Sequence, residues 1–284
     1  MSSKRPFVVQ VIRRLMMALK TILPQRVYAG LFGVAIEIYR KLLRALYLRR
    51  VVYYWLKGDQ PNYEKARTVY RVMPYSLVGS SGLELTYEAA EKLMNEEGNP
   101  GAFVECGVAE GGSSALMAMV AGKFGSEQKT WLFDSFEGLP SPTDQDFDQP
   151  GGSTRAYVKP LGKGSCLGTK EAVENLLFRK FGLDSRNIHL VKGWFQDTLP
   201  VMSERIGPIA LLRIDADWFE SINCCLENLY NQVVQNGYII FDDYGLCVGA
   251  KKATDEFLAR RGLLVALSFD GRGGAFFRKP PGGG

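Results

Sequence analysis

Histidine is nearly missing from this chain: His189 is the only one in 284 residues. The five cysteines, at 106, 166, 224, 225 and 247, contain no C-x-x-C pair. A structural zinc site therefore has little to draw on. An odd cysteine count without close spacing also argues against a disulfide framework and fits reduced thiols in the cytoplasm. No apolar run reaches the ~18 residues expected of a membrane span. The longest, Val27 to Ile36, stops at Glu37. No small-residue cleavage site follows an apolar core, so no secretory signal is expected.

Acidic residues are scarce in one region only. Residues 1–60 hold Glu37 and Asp59 against twelve lysines and arginines, while the whole chain carries a net charge of +5. The remainder is therefore net acidic, which excludes nucleic acid as an expected partner. Pro24 divides this arm into two helical segments. In the second, Ile36, Tyr39, Leu42, Leu43, Leu46 and Val51 recur at helical spacing, with Arg40, Lys41, Arg44, Arg49 and Arg50 between them. Two readings stay open. A basic amphipathic helix lies on an anionic membrane surface, here the inner face of a membrane, or it packs on its own domain or on a second subunit of a homo-oligomer. Composition places an arm at 1–60 and the main domain at 61–284, with residues 58–75 as linker and lead-in.

From Ala102 onward strands alternate with helices. Strands are expected at Phe103–Cys106, Thr130–Phe133, Ile188–Val191, Ile209–Ile214, Tyr238–Phe241, Leu263–Phe269 and Ala275–Phe277. Helices are expected at Tyr87–Asn95 (capped by Thr86), Ser113–Phe124, 170–181, 221–234 and 250–261. This is the pattern of an α/β domain with a mostly parallel sheet covered on both faces. Residues 138–168 are rich in Gly, Pro and Asp and too long for an ordinary connection, which marks them as a lid. His189 falls in an apolar strand and reads as structural.

The turn after the first strand reads Glu105-Cys106-Gly107-Val108-Ala109-Glu110-Gly111-Gly112-Ser113-Ser114. Its spacing, G-x-x-x-G-G, differs from the G-x-G-x-x-G turn that seats a pyrophosphate. A cofactor without pyrophosphate fits better, and this counts against a nicotinamide-dependent oxidoreductase, the main rival reading. Glu105 at the strand tip suits an ammonium group, and Asp134 at the end of the second strand suits ribose hydroxyls. Asp215 and Asp217 end the fourth strand, and Asp242 and Asp243 end the fifth. Carboxylates gathered at one sheet edge repel unless a cation sits among them. Their hard oxygens suit magnesium, with manganese as a substitute.

The segments FVECGVAEGGSSALMA, WLFDSFEGLP, VKGWFQDTLP, LLRIDADWFES and YIIFDDYG occur in this order. Together they resemble the macrocin O-methyltransferase (TylF-type) family of S-adenosylmethionine (SAM)- and metal-dependent sugar O-methyltransferases, over about residues 76–278. The resemblance implies a Rossmann-like class I methyltransferase fold with a seven-stranded sheet, and a hydroxylated sugar or glycoside as acceptor. It assigns SAM to Glu105, Gly107, Gly111, Ser113, Ser114, Asp134, Ser135, Phe136, Gly193, Trp194 and Phe195. It assigns the divalent metal to Asp215, Asp242 and Asp243, and the general base to Asp217. The family's usual tryptophan or basic residue in the glycine turn is replaced by Ala109-Glu110. Catechol-type enzymes place a lysine three residues after the first aspartate, where this chain has Trp218. That difference favours the sugar type. A non-catalytic binding module would not need the full set of acids.

Overall fold

The structure, a computed structural model, describes residues 25–96, 101–124, 128–149 and 161–281. The first helical segment expected in the arm, the centre of the 138–168 loop and the last glycines lie outside these residues. The chain divides into two compact units between Pro74 and Tyr75.

The first unit contains α1 (Gln25–Lys57) and α2 (Gln60–Val72), which pack on each other. The expected linker at 58–75 is instead mostly helix, and the signal for it was local. Asp59 is the N-cap, accepting from the Asn62 amide at 3.3 Å, and Pro61 occupies the first turn, where no donor is lost. Tyr47 and Val51 of α1 are buried, as are Ala66, Val69 and Val72 of α2. The Arg44 guanidinium sits 4.3 Å over the Tyr70 ring. Leu42, Leu43 and Tyr54 are half-buried, whereas Leu46, Tyr53 and Trp55 are exposed.

The second unit is built on a seven-stranded sheet. Its strands are β1 (Ala102–Cys106), β2 (Thr130–Asp134), β3 (Ile188–Lys192), β4 (Ile209–Ile214), β5 (Val233–Phe241), β6 (Ser268–Phe269) and β7 (Ala275–Arg278), in the order β3-β2-β1-β4-β5-β7-β6. β1 to β5 are parallel and β7 runs antiparallel to β5. The helices are α3 (Ser80–Asn95), α4 (Gly112–Lys123), α5 (Lys170–Glu174), α6 (Phe195–Ile206), α7 (Phe219–Leu229) and α8 (Val248–Arg260). α3 packs with α4, while α7 packs with α6 and α8. Ala102, Val104, Cys106, Leu212, Ile214, Ile239 and Phe241 share one core with residues of α6, α7 and α8. Period-2 alternation then puts Glu105 and Arg213 on the opposite face of their strands.

Several boundaries differ from the sequence expectation. α3 starts at Ser80, so Thr86 is inside the helix rather than its cap, and its hydroxyl donates to the Gly82 carbonyl at 2.9 Å. α7 ends at Leu229, and the expected helical residues 233–234 open β5. Apolar residues there satisfied either period. Of Leu263–Phe269 only Ser268–Phe269 is strand. The second half of the 170–181 helix is π-helical, over Asn175–Lys180. Helix α6 was not anticipated from the sequence.

Candidate active site

In a parallel sheet the crevice forms where strand order reverses, beyond the carboxyl ends of the strands. Here the reversal lies between β1 and β4, and a cleft of about 630 Å³ opens there. That volume suits a cofactor-sized ligand. Two edge hydrogen bonds zip the strand ends together: the Asp215 amide to the Cys106 carbonyl at 2.8 Å, and the Asp242 amide to the Ile214 carbonyl at 3.1 Å.

The glycine turn forms one wall. Gly107 has φ +92, and a Cβ there would collide with the Asp215 carbonyl oxygen, so only glycine lets β1 and β4 close up at this point. Asp134 braces the turn. Its Oδ2 accepts from the amides of Val108 at 2.7 Å and Ala109 at 3.1 Å, and its Oδ1 accepts from Phe136 at 2.7 Å. Ala109 and Phe136 are held at φ 45 and 53, left-handed values rare outside glycine.

Of the residues assigned to the cofactor, Gly107, Ser113, Asp134, Ser135, Trp194 and Phe195 line the cleft. Glu105, Gly111, Ser114, Phe136 and Gly193 do not. Glu105 is fully buried behind the turn, where Ser114 donates to one oxygen and Arg213 to the other, at 3.0 Å. Burial raises the Glu105 carboxyl to about 7, more than the attraction of Arg213 lowers it.

Asp215, Asp242 and Asp243 offer oxygens that all lie within 4.8 Å of one another. Asp217 joins Asp243 and Cys247 in a second such group. All four acids line the cleft. Arg213 Nη1 reaches Asp215 at 2.9 Å, and its Nη2 reaches Asp242 at 2.7 Å. Among the described residues no ion pair reaches Asp217 or Asp243. Burial, then the charge of Asp215, lifts both Asp217 and Asp242 to about 7. Burial and the charges of Asp217, Asp242 and Asp215 raise Asp243 well above the carboxylate range.

Four residues of this site were missed in the sequence. Arg213, fully buried, links Glu105 to the aspartate cluster. A lone arginine inside an apolar strand was the available signal. Asp146, from the long loop, is 1% exposed and lines the cleft. Cys247 donates its thiol to Asp217 at 3.7 Å. Cys166 lines the cleft, and burial followed by the charges of Asp217 and Asp215 pushes its thiol up to about 12. It stays protonated and inert as a nucleophile. His189 lies in β3 with its ring 4.3 Å from that of Trp131, away from the cleft.

The family model of macrocin-O-methyltransferase (TylF) matches residues 15–279. The match reaches well into the arm, farther than the ordered motifs from residue 76 implied. The chain is 31% identical over 206 residues to demethyldecarbamoylnovobiocin O-methyltransferase of Streptomyces niveus, covering 72% of this chain and 76% of that one. It is 29% identical over 208 residues to the 8-demethyl-8-(2,3-dimethoxy-alpha-L-rhamnosyl)-tetracenomycin-C 4'-O-methyltransferase of Streptomyces olivaceus, covering 72% and 75%. Among solved structures, the O-methyltransferase NovP superposes with a TM-score of 0.63 at 30% identity, over 72% of this chain and 82% of that one.

Proposed function

Because this chain belongs to the macrocin-O-methyltransferase (TylF) family, we propose that it methylates a hydroxyl of a sugar or glycoside. In this reading SAM donates the methyl group, and magnesium or manganese holds the acceptor. The observation that carries the reading is the convergence of Asp215, Asp242 and Asp243 on the cleft that the glycine turn lines. The donor set fits a hard dication. It consists of carboxylate oxygens, and the Arg213 guanidinium that reaches Asp215 and Asp242 is shared with Glu105. Trp218 rather than lysine after the first ligand supports a sugar over a catechol.

When bound, SAM supplies an electrophilic methyl group and the dication supplies Lewis acidity toward an acceptor hydroxyl. The protein's own part is to bind, orient and accept a proton. Gly107, Ser113, Asp134, Ser135, Trp194 and Phe195 would touch the cofactor. Glu105, Gly111, Ser114, Phe136 and Gly193 would support that lining from behind. Asp215, Asp242 and Asp243 would hold the dication. Asp217 would take the proton of the acceptor hydroxyl at its carboxylate.

The test is mass spectrometry of rhamnosyl and other deoxysugar glycosides incubated with the protein, SAM and magnesium. The expected result is a gain of one methyl group on a sugar oxygen, abolished by chelator. Binding of NAD in place of SAM, with no methyl transfer, would overturn the reading.

We also propose that residues 1–60 act as a membrane-facing arm while residues 61–284 carry the chemistry. No described helix is long and apolar enough to cross a membrane. Supporting a surface contact, Leu46 and Tyr53, seven residues apart on one side of α1, are exposed beside exposed Arg49 and Lys57. Each basic residue at an anionic surface contributes about 1 kcal/mol. Full-length protein should co-sediment with phosphatidylglycerol vesicles and be released by high salt. A homo-oligomer that ignores vesicles would instead assign this face to a second subunit.

A further inference from the structure

We propose that Asp146 is the positioning residue of the aspartate site: from the loop after β2 it clamps the turn that carries Asp215 and Asp217. That turn is unusual. The Trp218 amide donates to the Ala216 carbonyl at 2.5 Å, and Asp217 between them has φ 55. A three-residue turn with positive φ at its centre is strained and needs its surroundings to hold it.

The strand before the turn fixes Asp215, but the sequence after it supplies no cap. Trp218, at the N-cap of α7, makes no side-chain cap bond. Asp146 provides the missing acceptor from another part of the chain. Its Oδ1 accepts from the Phe219 amide at 2.7 Å, where a negative charge also suits the helix N-terminus. Its Oδ2 accepts from the Thr143 amide at 2.7 Å and the Thr143 hydroxyl at 3.3 Å, which fixes the carboxylate on its own loop. The Trp218 indole adds a second tie, donating to the Pro140 carbonyl at 3.2 Å. Two consecutive residues after Asp217 are thus pinned to one loop.

Space for this clamp is made by Gly249 in α8. A Cβ there would collide with Asp146 Oδ1 and come within 2.7 Å of the Phe219 amide nitrogen. Three elements therefore meet at one buried carboxylate: the loop, the start of α7 and the start of α8.

The inference rests on the metal reading above for one of its two readouts, and the other is independent of it. The proteins are full-length wild type, Asp146→Ala, Asp146→Asn and Gly249→Ala. Manganese and SAM affinities are measured by calorimetry, and amide hydrogen exchange is followed over residues 216–220. Asp146→Ala should weaken manganese binding by about tenfold or more, as loss of outer-shell support does, with SAM affinity within about twofold of wild type. Residues 216–220 should exchange faster while β4 is unchanged. Asp146→Asn should recover part of the loss, since its Oδ1 still accepts from Phe219. Gly249→Ala should reproduce Asp146→Ala without removing an acid. A merely structural cap would lower thermal stability and speed exchange at Phe219 alone, leaving manganese affinity and the exchange of residues 216–218 at wild-type values, which overturns the proposal. So would a Gly249→Ala protein unchanged in both. Wild-type protein that binds no manganese would sink the metal reading instead. The exchange data alone would then decide for or against the clamp.

Discussion

Arg213→Met should be the most costly single substitution at the site, and its cost should depend on pH. The guanidinium is fully buried and serves Glu105 at 3.0 Å, Asp215 at 2.9 Å and Asp242 at 2.7 Å. Methionine fills similar volume but leaves three carboxyl groups without their cation. Breaking a buried pair on one side costs about 3–5 kcal/mol. Glu105 stands at about 7 even with Arg213 in place, against an ordinary 4.5, so most of the cost of burying this carboxyl is already present in the wild type at pH 7.5. Keeping it neutral without Arg213 adds only about 1 kcal/mol for this group, and the rest of the loss falls on Asp215 and Asp242. The pair-breaking cost is a large share of the 5–15 kcal/mol that holds a domain together.

The sign follows from proton binding. A carboxyl raised in the folded state binds more protons there than in the unfolded chain, so stability falls as pH rises from about 4.5 through the folded value. The penalty should thus be about 3–5 kcal/mol at pH 7.5 and smaller at pH 5, where Glu105 and Asp242, which stand at about 7, are protonated with Arg213 already in place. Adding Glu105→Gln should recover part of the neutral-pH loss, because it removes one of the three carboxyl groups left without their cation. The assay is urea unfolding in chelator, followed by the fluorescence of Trp131, Trp194 and Trp218. A single mutant within about 1 kcal/mol of wild type at pH 7.5, or equally destabilised at both pH values, would refute the reasoning.

Asp242→Ala should abolish methyl transfer and leave SAM affinity largely intact; methylation surviving in excess chelator would remove the metal from the scheme. Asp217→Asn should lower kcat by about 100-fold with little change in magnesium affinity, checked with chemistry rate-limiting. Magnesium should stabilise the protein more at pH 8 than at pH 5.5. Asp217 and Asp242 rise to about 7 when no cation is present, so the metal-free fold weakens as pH rises toward 7 and the dication relieves that loss. Thermal shifts with and without magnesium across this range check it, and a larger shift at the acid end would contradict it.

What the sequence determined is what short-range chemistry determines. Strand alternation and strand-end acids located β1, β2 and β4 to within one residue and the end, though not the start, of β5, because apolar period and turn residues are local signals. The glycine turn and the Asp215/Asp217 and Asp242/Asp243 pairs were legible because a parallel sheet sends every strand end to one edge. Tertiary structure decided which of those residues reach the cleft. Glu105 looked like a ligand contact at a strand tip, but pairing of β1 with β4 sets it opposite Arg213, and a buried charge takes the nearest cation. Cys247 and Asp146 are remote in sequence from Asp217 and arrive beside it only when α8 and the long loop pack on the start of α7. The helix at Gln60–Val72 was announced by Asp59 and Pro61 yet read as linker, since polar residues on its outer face hid a buried stripe at Ala66, Val69 and Val72. A pattern records which face a residue prefers, and only packing determines what that face meets.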